Sequence, residues 1–391
     1  MSLEEQSIKL HRKLKGKLEI KSKIPVKSMK MLSLLYTPGV AQASRNIAKE
    51  KNQVYNLTSK WNLVAIVSDG SRVLGLGNIG AEAALPVMEG KAILFKLFGN
   101  VDAFPLCIKT QKASEIIELV KNISPTFGGI NIEDIESPKC FEITDRLNKE
   151  LDMPVFHDDR QGTGIVALAG LINSLKVVKK RSKNIKIVIG GAGAAGYGIM
   201  EILLEYSFRN LILTDSSGII YKGRKENMNK YKEKMANKTN KEKIRGSLSD
   251  ALTEADVFIG VTGVANSISK EMLKQMNKKS VVFALTNPNP EIYPKEAKKA
   301  RVKIFATGRS DFPNQINNSL AFPGVFRGAL DVRAKRINMQ MQISAAKALA
   351  RMVKNPSVRN IIPKTTDPKI MKVIAKAVSK AAKESKVARL S

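Results

Sequence analysis

The chain predicts an α/β protein of two unlike halves. Residues 1–160 are expected to form a mixed α/β domain, and residues 161–391 a doubly wound, largely parallel sheet whose last helices pack back on the body. Three observations carry that expectation. From Ile185 onward, short Val- and Ile-rich runs alternate with helical stretches, as in a parallel sheet buried on both faces. One of those runs ends in "GAGAAG" and opens at once into a helix-like segment. With 391 residues and 43% hydrophobic content, the chain is long enough for two cores.

The opening "MSLEEQSIKLHRKLKGK" is charged throughout and lacks the apolar stretch of a secretory signal. Further on, "WNLVAIVSDG", "KAILFKLFG" and "DAFPLCI" alternate with glycine-bearing turns and are expected strands. In the second half the expected strands are "IKIVIG", "NLILTD", "VFIGVTG", "SVVFALTNPNPE" and "VKIFATG". Gly, Thr, Asn or Asp follows each of them, as suits loops facing a ligand beyond the carboxyl ends of parallel strands. The segment after Leu330 reads as helical. In "KIMKVIAKAVSKAAKESK", Lys369, Lys372, Lys376, Lys380 and Lys383 recur opposite Ile370, Val373, Ile374, Ala377 and Val378, the pattern of a helix docked by one face.

Composition excludes several classes. No uninterrupted apolar run reaches the ~20 residues of a membrane span; the longest, around "GIVALAGLI", stops at Asn173. Two cysteines, Cys107 and Cys140, do not make a disulfide framework or a zinc knuckle, so the expected compartment is the cytoplasm. The net charge of +31 raises a nucleic-acid reading. The densest basic run, 222–245, is interrupted by Glu226, Glu233 and Glu242, and aromatic interleaving is sparse. Solvated lysine faces are therefore expected, with no membrane and no specific nucleic-acid partner, in a positive field that attracts small anions.

Gly191, Gly193 and Gly196 form G-x-G-x-x-G in its required setting, after a strand and opening a helix. The loop Gly191, Ala192, Gly193, Ala194, Ala195 and Gly196 would cradle a pyrophosphate at a helix N-terminus. Asp215, 24 residues after Gly191, ends the next strand, where a carboxylate accepts from ribose hydroxyls. The second half therefore reads as a Rossmann-like dinucleotide-binding domain. Asp215 favours NAD over NADP, while Arg224 and Lys225 downstream could reverse that preference. Thr262, Gly263 and Asn287, at later strand ends, are expected to line the same cofactor.

Two acidic pairs remain: Glu133 and Asp134 in "GGINIEDIES", and Asp158 and Asp159 in "PVFHDDRQGTG". Adjacent like charges repel and raise each other's pKa, and a shared cation would relieve both pairs. Glu133, Asp134 and one of Asp158 and Asp159 offer an all-oxygen cage suited to Mg²⁺ or Mn²⁺. Only two histidines, His11 and His157, exist for a nitrogen-based alternative.

The blocks "LSLLYTPGVA", "VSDGSRVLGLGNIG", "PVMEGKAILFKLFGNVDAFPLCI", "FGGINIEDIESPKCFEI", "PVFHDDRQGTGIV", "ALTNPNPEI" and "NNSLAFPGVFRGALD" resemble, in order and over nearly the whole chain, the short prokaryotic malic enzymes. The resemblance implies a malic domain followed by the NAD(P) domain. The implied reaction is oxidative decarboxylation of (S)-malate to pyruvate and CO2, with NAD(P)⁺ reduced and a divalent metal required. It makes Glu133, Asp134 and Asp159 the metal ligands and Asp158 the partner of the catalytic Lys91, the general base. Tyr36 becomes the general acid and Arg72 the grip on a substrate carboxylate. Asn287 and either Asn317 or Asn318 are implied to face substrate, and a homodimer is the implied assembly. The readings set against this one are a non-decarboxylating hydroxy-acid dehydrogenase and a basic nucleic-acid-associated protein on the same scaffold.

Overall fold

The computed structural model describes residues 1–390; Ser391, which closes the expected second domain, lies outside them. Among the described residues, ten strands form two sheets. The first has four parallel strands in the order β2-β1-β3-β4: β1 (Leu63–Ser68), β2 (Asp102–Cys107), β3 (Gly129–Ile132) and β4 (Val155–His157). The second has six strands in the order β10-β9-β8-β5-β6-β7: β5 (Lys186–Gly190), β6 (Asn210–Asp215), β7 (Gly218–Ile219), β8 (Val257–Gly260), β9 (Val281–Ala284) and β10 (Ile304–Thr307). Only the two-residue β7 is antiparallel, paired to β6. Strand order reverses between β5 and β8, and that switch point opens a crevice at the strands' carboxyl ends.

All five strands expected in the second half are present. One expected in the first half is not. "KAILFKLFG" lies inside the long helix Ala81–Gly99, not in a strand. A short apolar run does not by itself distinguish a buried strand from a buried helix. Here the helix is covered along much of its length, with Met88, Lys91, Ala92 and Phe95 all buried. It begins after Gly80, without the Ser/Thr/Asp cap that would have marked its start, and closes at Asn100 in the left-handed conformation.

The helices join the halves. Thr163–Val178, with the turn before it, is long and apolar enough by composition to cross a membrane, but 72% of its most apolar window is buried inside the protein. It is the core helix between the sheets. Its Asn173 donates to the carbonyls of Ala350 and Ile361, and so pins the C-terminal segment to the body. The helix Phe322–Asp331 returns to the first sheet: the Phe322 and Phe326 rings lie 4.7 and 5.2 Å from that of Phe95, and Phe326 meets Phe156 at 5.7 Å. The last helix, Lys369–Glu384, buries Ile370, Ile374 and Val378 and exposes the expected lysine stripe. By contrast, no residue before Lys60 is buried.

Candidate active site

The carboxyl ends of both sheets open onto one cleft of about 1250 Å³. The register of the first sheet explains how the acidic pairs meet. β3 and β4 are parallel neighbours with Ile132 opposite His157. The residues that follow, Glu133–Asp134 and Asp158–Asp159, therefore emerge side by side although they lie far apart in sequence. One carboxylate oxygen from each of Glu133, Asp134 and Asp159 lies within 4.8 Å of the others. Asp134 takes φ 49°, and its carbonyl accepts the Arg72 amide at 3.1 Å, which fixes the loop after β1 beside the cluster.

Lys91 reaches the same point from the helix Ala81–Gly99. Its Nζ donates to Asp158 Oδ2 and lies 2.8 Å from Glu133 Oε1, 4.3 Å from the centre of the Phe322 ring. Burial pulls the Lys91 pKa down, but the negative charges of Asp158 and Glu133 outweigh it and hold the ammonium above its ordinary range. The acids are pushed the other way. Burial, with Asp159 and Glu133 adding repulsion, raises Asp134 to about 9. Burial raises Asp158 to about 7 against the pull of Lys91. Glu133 and Asp159 are also raised, chiefly by burial. Asp134 Oδ2 and Asp158 Oδ1 are buried with no hydrogen-bond partner. Three buried acids and the half-buried Asp159, against one ammonium and with orphaned hard oxygens, form a site deficient in positive charge. The donor set fits Mg²⁺ or Mn²⁺.

The glycine loop lies across the cleft, between β5 and the helix Ala194–Glu205. Gly191 takes φ +111°, and a Cβ there would sit 2.4 Å from the Val261 carbonyl oxygen. At Gly193 a Cβ would meet nothing nearer than Ser137 Oγ at 3.7 Å, so that position leaves open space for a phosphate. The helix has no side-chain cap at Gly193, and its first amides remain free donors. Ala192, Ala194, Ala195, Thr262, Gly263 and Asn287 all line the cleft, as do Arg72, Asn317 and Asn318.

Asp215 stands at the expected strand end, but not as a free acceptor. The Arg224 guanidinium grips both carboxylate oxygens, and Lys232 Nζ lies 2.8 Å from Oδ2. The Ser217 amide donates to Oδ1. Burial raises this carboxyl, yet the hydrogen bonds from Arg224 and Lys232 more than offset it and keep the pKa low. Lys232 belongs to the basic run expected to be solvated, and instead lines the cleft. Glu291 also escaped the sequence reading. Fully buried, it accepts from the Thr262 and Thr286 amides at 3.0 and 3.2 Å and ties the loops after β8 and β9 together. Neither residue stands in a motif that would mark it: Lys232 acts on Asp215, 17 residues away, and Glu291 links Thr286 to Thr262, 5 and 29 residues away.

Tyr36 is not brought to this cleft by its own chain: it is 67% exposed and absent from the lining. His157 is buried, with neither ring nitrogen partnered and burial lowering it to about 4, so it stands as a neutral neighbour outside the lining. Cys107 and Cys140 are free thiols.

Comparison with known proteins agrees across both halves. Residues 15–115 and 109–148 match the model of the malic enzyme N-terminal domain, and residues 160–383 that of the malic enzyme NAD-binding domain. A bifunctional malic/malolactic enzyme of Bacillus subtilis is 52% identical, over 100% of this chain and 96% of its own. An NAD-dependent malic enzyme of Geobacillus stearothermophilus is 51% identical, over 96% and 78%. The crystal structure of a malic enzyme from Pyrococcus horikoshii superposes with a TM-score of 0.95 at 48% identity, covering 100% of this chain and 93% of that one.

Proposed function

We propose, from the premise that this chain belongs to the malic enzyme family, a role for each cleft residue in the oxidative decarboxylation of (S)-malate to pyruvate and CO2 with reduction of NAD(P)⁺. The carrying observation is the convergence of Glu133, Asp134 and Asp159 within 4.8 Å, beside a buried lysine and in the same cleft as a free helix N-terminus.

Glu133, Asp134 and Asp159 are the residues to hold a divalent cation. Such an ion supplies the positive charge that the acids lack and a sink for electrons as a carboxyl group leaves, while the dinucleotide supplies the hydride acceptor. Arg72 presents a planar fork to a substrate carboxylate. Asn287 adds a neutral amide. Of the other two asparagines, Asn317 Oδ1 is engaged by the Ser319 amide at 3.0 Å, whereas the Asn318 side chain has no hydrogen bond among the described residues. Asn318 is therefore the better candidate for substrate.

Lys91 Nζ holds its proton firmly between Asp158 and Glu133, so general-base work needs that grip loosened. Charge compensation at Glu133 would remove one of the two anions that stabilise the ammonium. Asp158, hydrogen-bonded to Nζ, is the group placed to take the proton that Nζ would then give up. The neutral amine would be free to take the C2 hydroxyl proton.

Protonation of C3 falls to Tyr36, which has to be delivered from elsewhere. Residues 1–59 contain no buried position, and they expose Leu3, Ile8, Leu10, Leu14, Met29, Leu34 and Leu35. An apolar arm of that kind marks an interface. The proposed assembly is a homodimer in which the arm of one copy covers the other and places Tyr36 at its cleft. The cytoplasm is the proposed compartment, consistent with two free thiols.

The test mixes two inactive homodimers, Tyr36→Phe and Lys91→Ala, under conditions of subunit exchange, with pyruvate formation measured. Tyr36 acting across the interface restores about a quarter of wild-type activity, because half of the dimers then carry one intact site. No recovery, with exchange verified, excludes the crossed arrangement.

A further inference from the structure

Arg160 follows the acidic pair directly and lies outside the cleft lining. It belongs to the short π turn Asp158–Gly162 between β4 and the core helix. Its guanidinium forks onto Glu201, with Nε at 2.8 Å from Oε2 and Nη2 at 3.0 Å from Oε1. The remaining nitrogen reaches Asp145 Oδ1 at 2.9 Å. The same group packs against two aromatic rings, 4.9 Å from the centre of Tyr197 and 5.7 Å from that of Phe141. Only 11% of the side chain is exposed.

These partners lie on two helices that bear on the site. Glu201 and Tyr197 belong to Ala194–Glu205, whose N-terminus closes the glycine loop. Asp145 and Phe141 belong to Lys139–Glu150, which follows the Glu133–Asp134 loop through Glu136 and Ser137, both lining the cleft. The backbones meet as well: a Cβ on Gly198 would lie 1.8 Å from the Arg160 carbonyl oxygen, so the phosphate-side helix rests directly on the turn carrying Asp159.

We propose that Arg160 is a positioning residue: by clamping the Asp158–Gly162 turn to both helices, it sets Asp159 relative to Glu133 and Asp134 on one side and to the dinucleotide loop on the other. The inference rests on the reading of those three acids as cation ligands. Groups that orient ligands from behind are typically worth about 10–100-fold in metal affinity or activity. Lysine cannot substitute, since a single ammonium lacks the fork and the flat face that the two carboxylates and two rings require.

The test uses the full-length protein and Mn²⁺ alone, with free Mn²⁺ counted by electron paramagnetic resonance, followed by steady-state kinetics. Circular dichroism confirms folding of each variant. Arg160→Lys and, from the opposite side, Glu201→Gln are expected to weaken Mn²⁺ binding about tenfold or more and to lower kcat, with KM for malate changing less. Wild-type Mn²⁺ affinity and kcat in both variants would overturn the inference while leaving the cation site standing. Failure of the wild-type protein to bind Mn²⁺ would overturn the cation reading and this inference with it.

Discussion

Replacing Asp134 by Asn should stabilise the protein in the absence of metal while abolishing the proposed cation site. Burial is the largest reason that Asp134 is raised from 3.8 to about 9, and the charges of Asp159 and Glu133 come next. Its Oδ2 has no partner, so the substitution removes a charge without removing a hydrogen bond from that atom. A carboxyl whose folded pKa lies above its unfolded one costs the fold nothing below about pH 4, where it is protonated in both states. The cost grows as pH rises from about 4 to about 9 and is constant above that. At pH 8 the full linkage over about four units approaches 6 kcal/mol at 1.36 kcal/mol per unit. Water penetration and relaxation reduce such penalties, and about 2–4 kcal/mol is the expected gain. For a domain of about 200 residues, this raises Tm by on the order of 5–10 °C. The assay is calorimetry of EDTA-treated wild type and Asp134→Asn at about pH 8 and about pH 5.5, with the gain at the higher pH at least twice that at the lower. Added Mn²⁺ should raise the wild-type Tm and leave the variant unmoved. A variant no more stable than wild type at pH 8, or equally stabilised at both pH values, would refute the electrostatic account of this site.

Lys91→Ala should lose turnover by about 10³-fold or more while still binding dinucleotide, measured by NADH fluorescence beside kcat; near-normal turnover would remove Lys91 from the chemistry. Lys232→Ala should lower kcat/KM for NADP⁺ about tenfold and leave that for NAD⁺ within about twofold, because the ammonium beside Asp215 is the cation available to a 2′-phosphate. Equal losses with both cofactors would show that Lys232 merely supports the loop. Lys60 donates to three carbonyls, those of Ser124, Pro125 and Phe127, at 2.7, 3.0 and 2.6 Å. Lys60→Met should cost about 3 kcal/mol by leaving those oxygens unpaired, read as a lower urea midpoint at unchanged slope.

Much of this protein was legible in its residues. The second sheet could be read because parallel strands buried on both faces must be apolar runs, and because the glycine loop needs small residues at fixed offsets whatever surrounds it. The acidic cage was legible because two adjacent carboxylate pairs are costly without a cation. Those are local constraints, and a one-dimensional pattern carries them. The stretch within the helix Ala81–Gly99 was misread because the helix, buried along one face, is apolar on its open face as well, at Leu85 and Leu97, which blurs the periodicity that separates helix from strand.

Other features depend on what the chain brings together. Asp215 reads in sequence as a free ribose acceptor, yet Arg224 and Lys232 occupy both of its oxygens, which weakens its discrimination against a 2′-phosphate. The family resemblance assigns Tyr36 to the chemistry, yet it sits on an arm with no buried residue. Composition and motif thus determined the two-part architecture, the dinucleotide loop and the two acidic pairs, while the choice of Asp159 over Asp158 as a ligand came only from the family resemblance. The tertiary structure decided the register that sets Glu133 beside Asp158, the protonation of Lys91, the pairing of Asp215 with Arg224 and Lys232, and the contacts of Arg160, because each depends on distances and burial between residues that the chain order keeps apart.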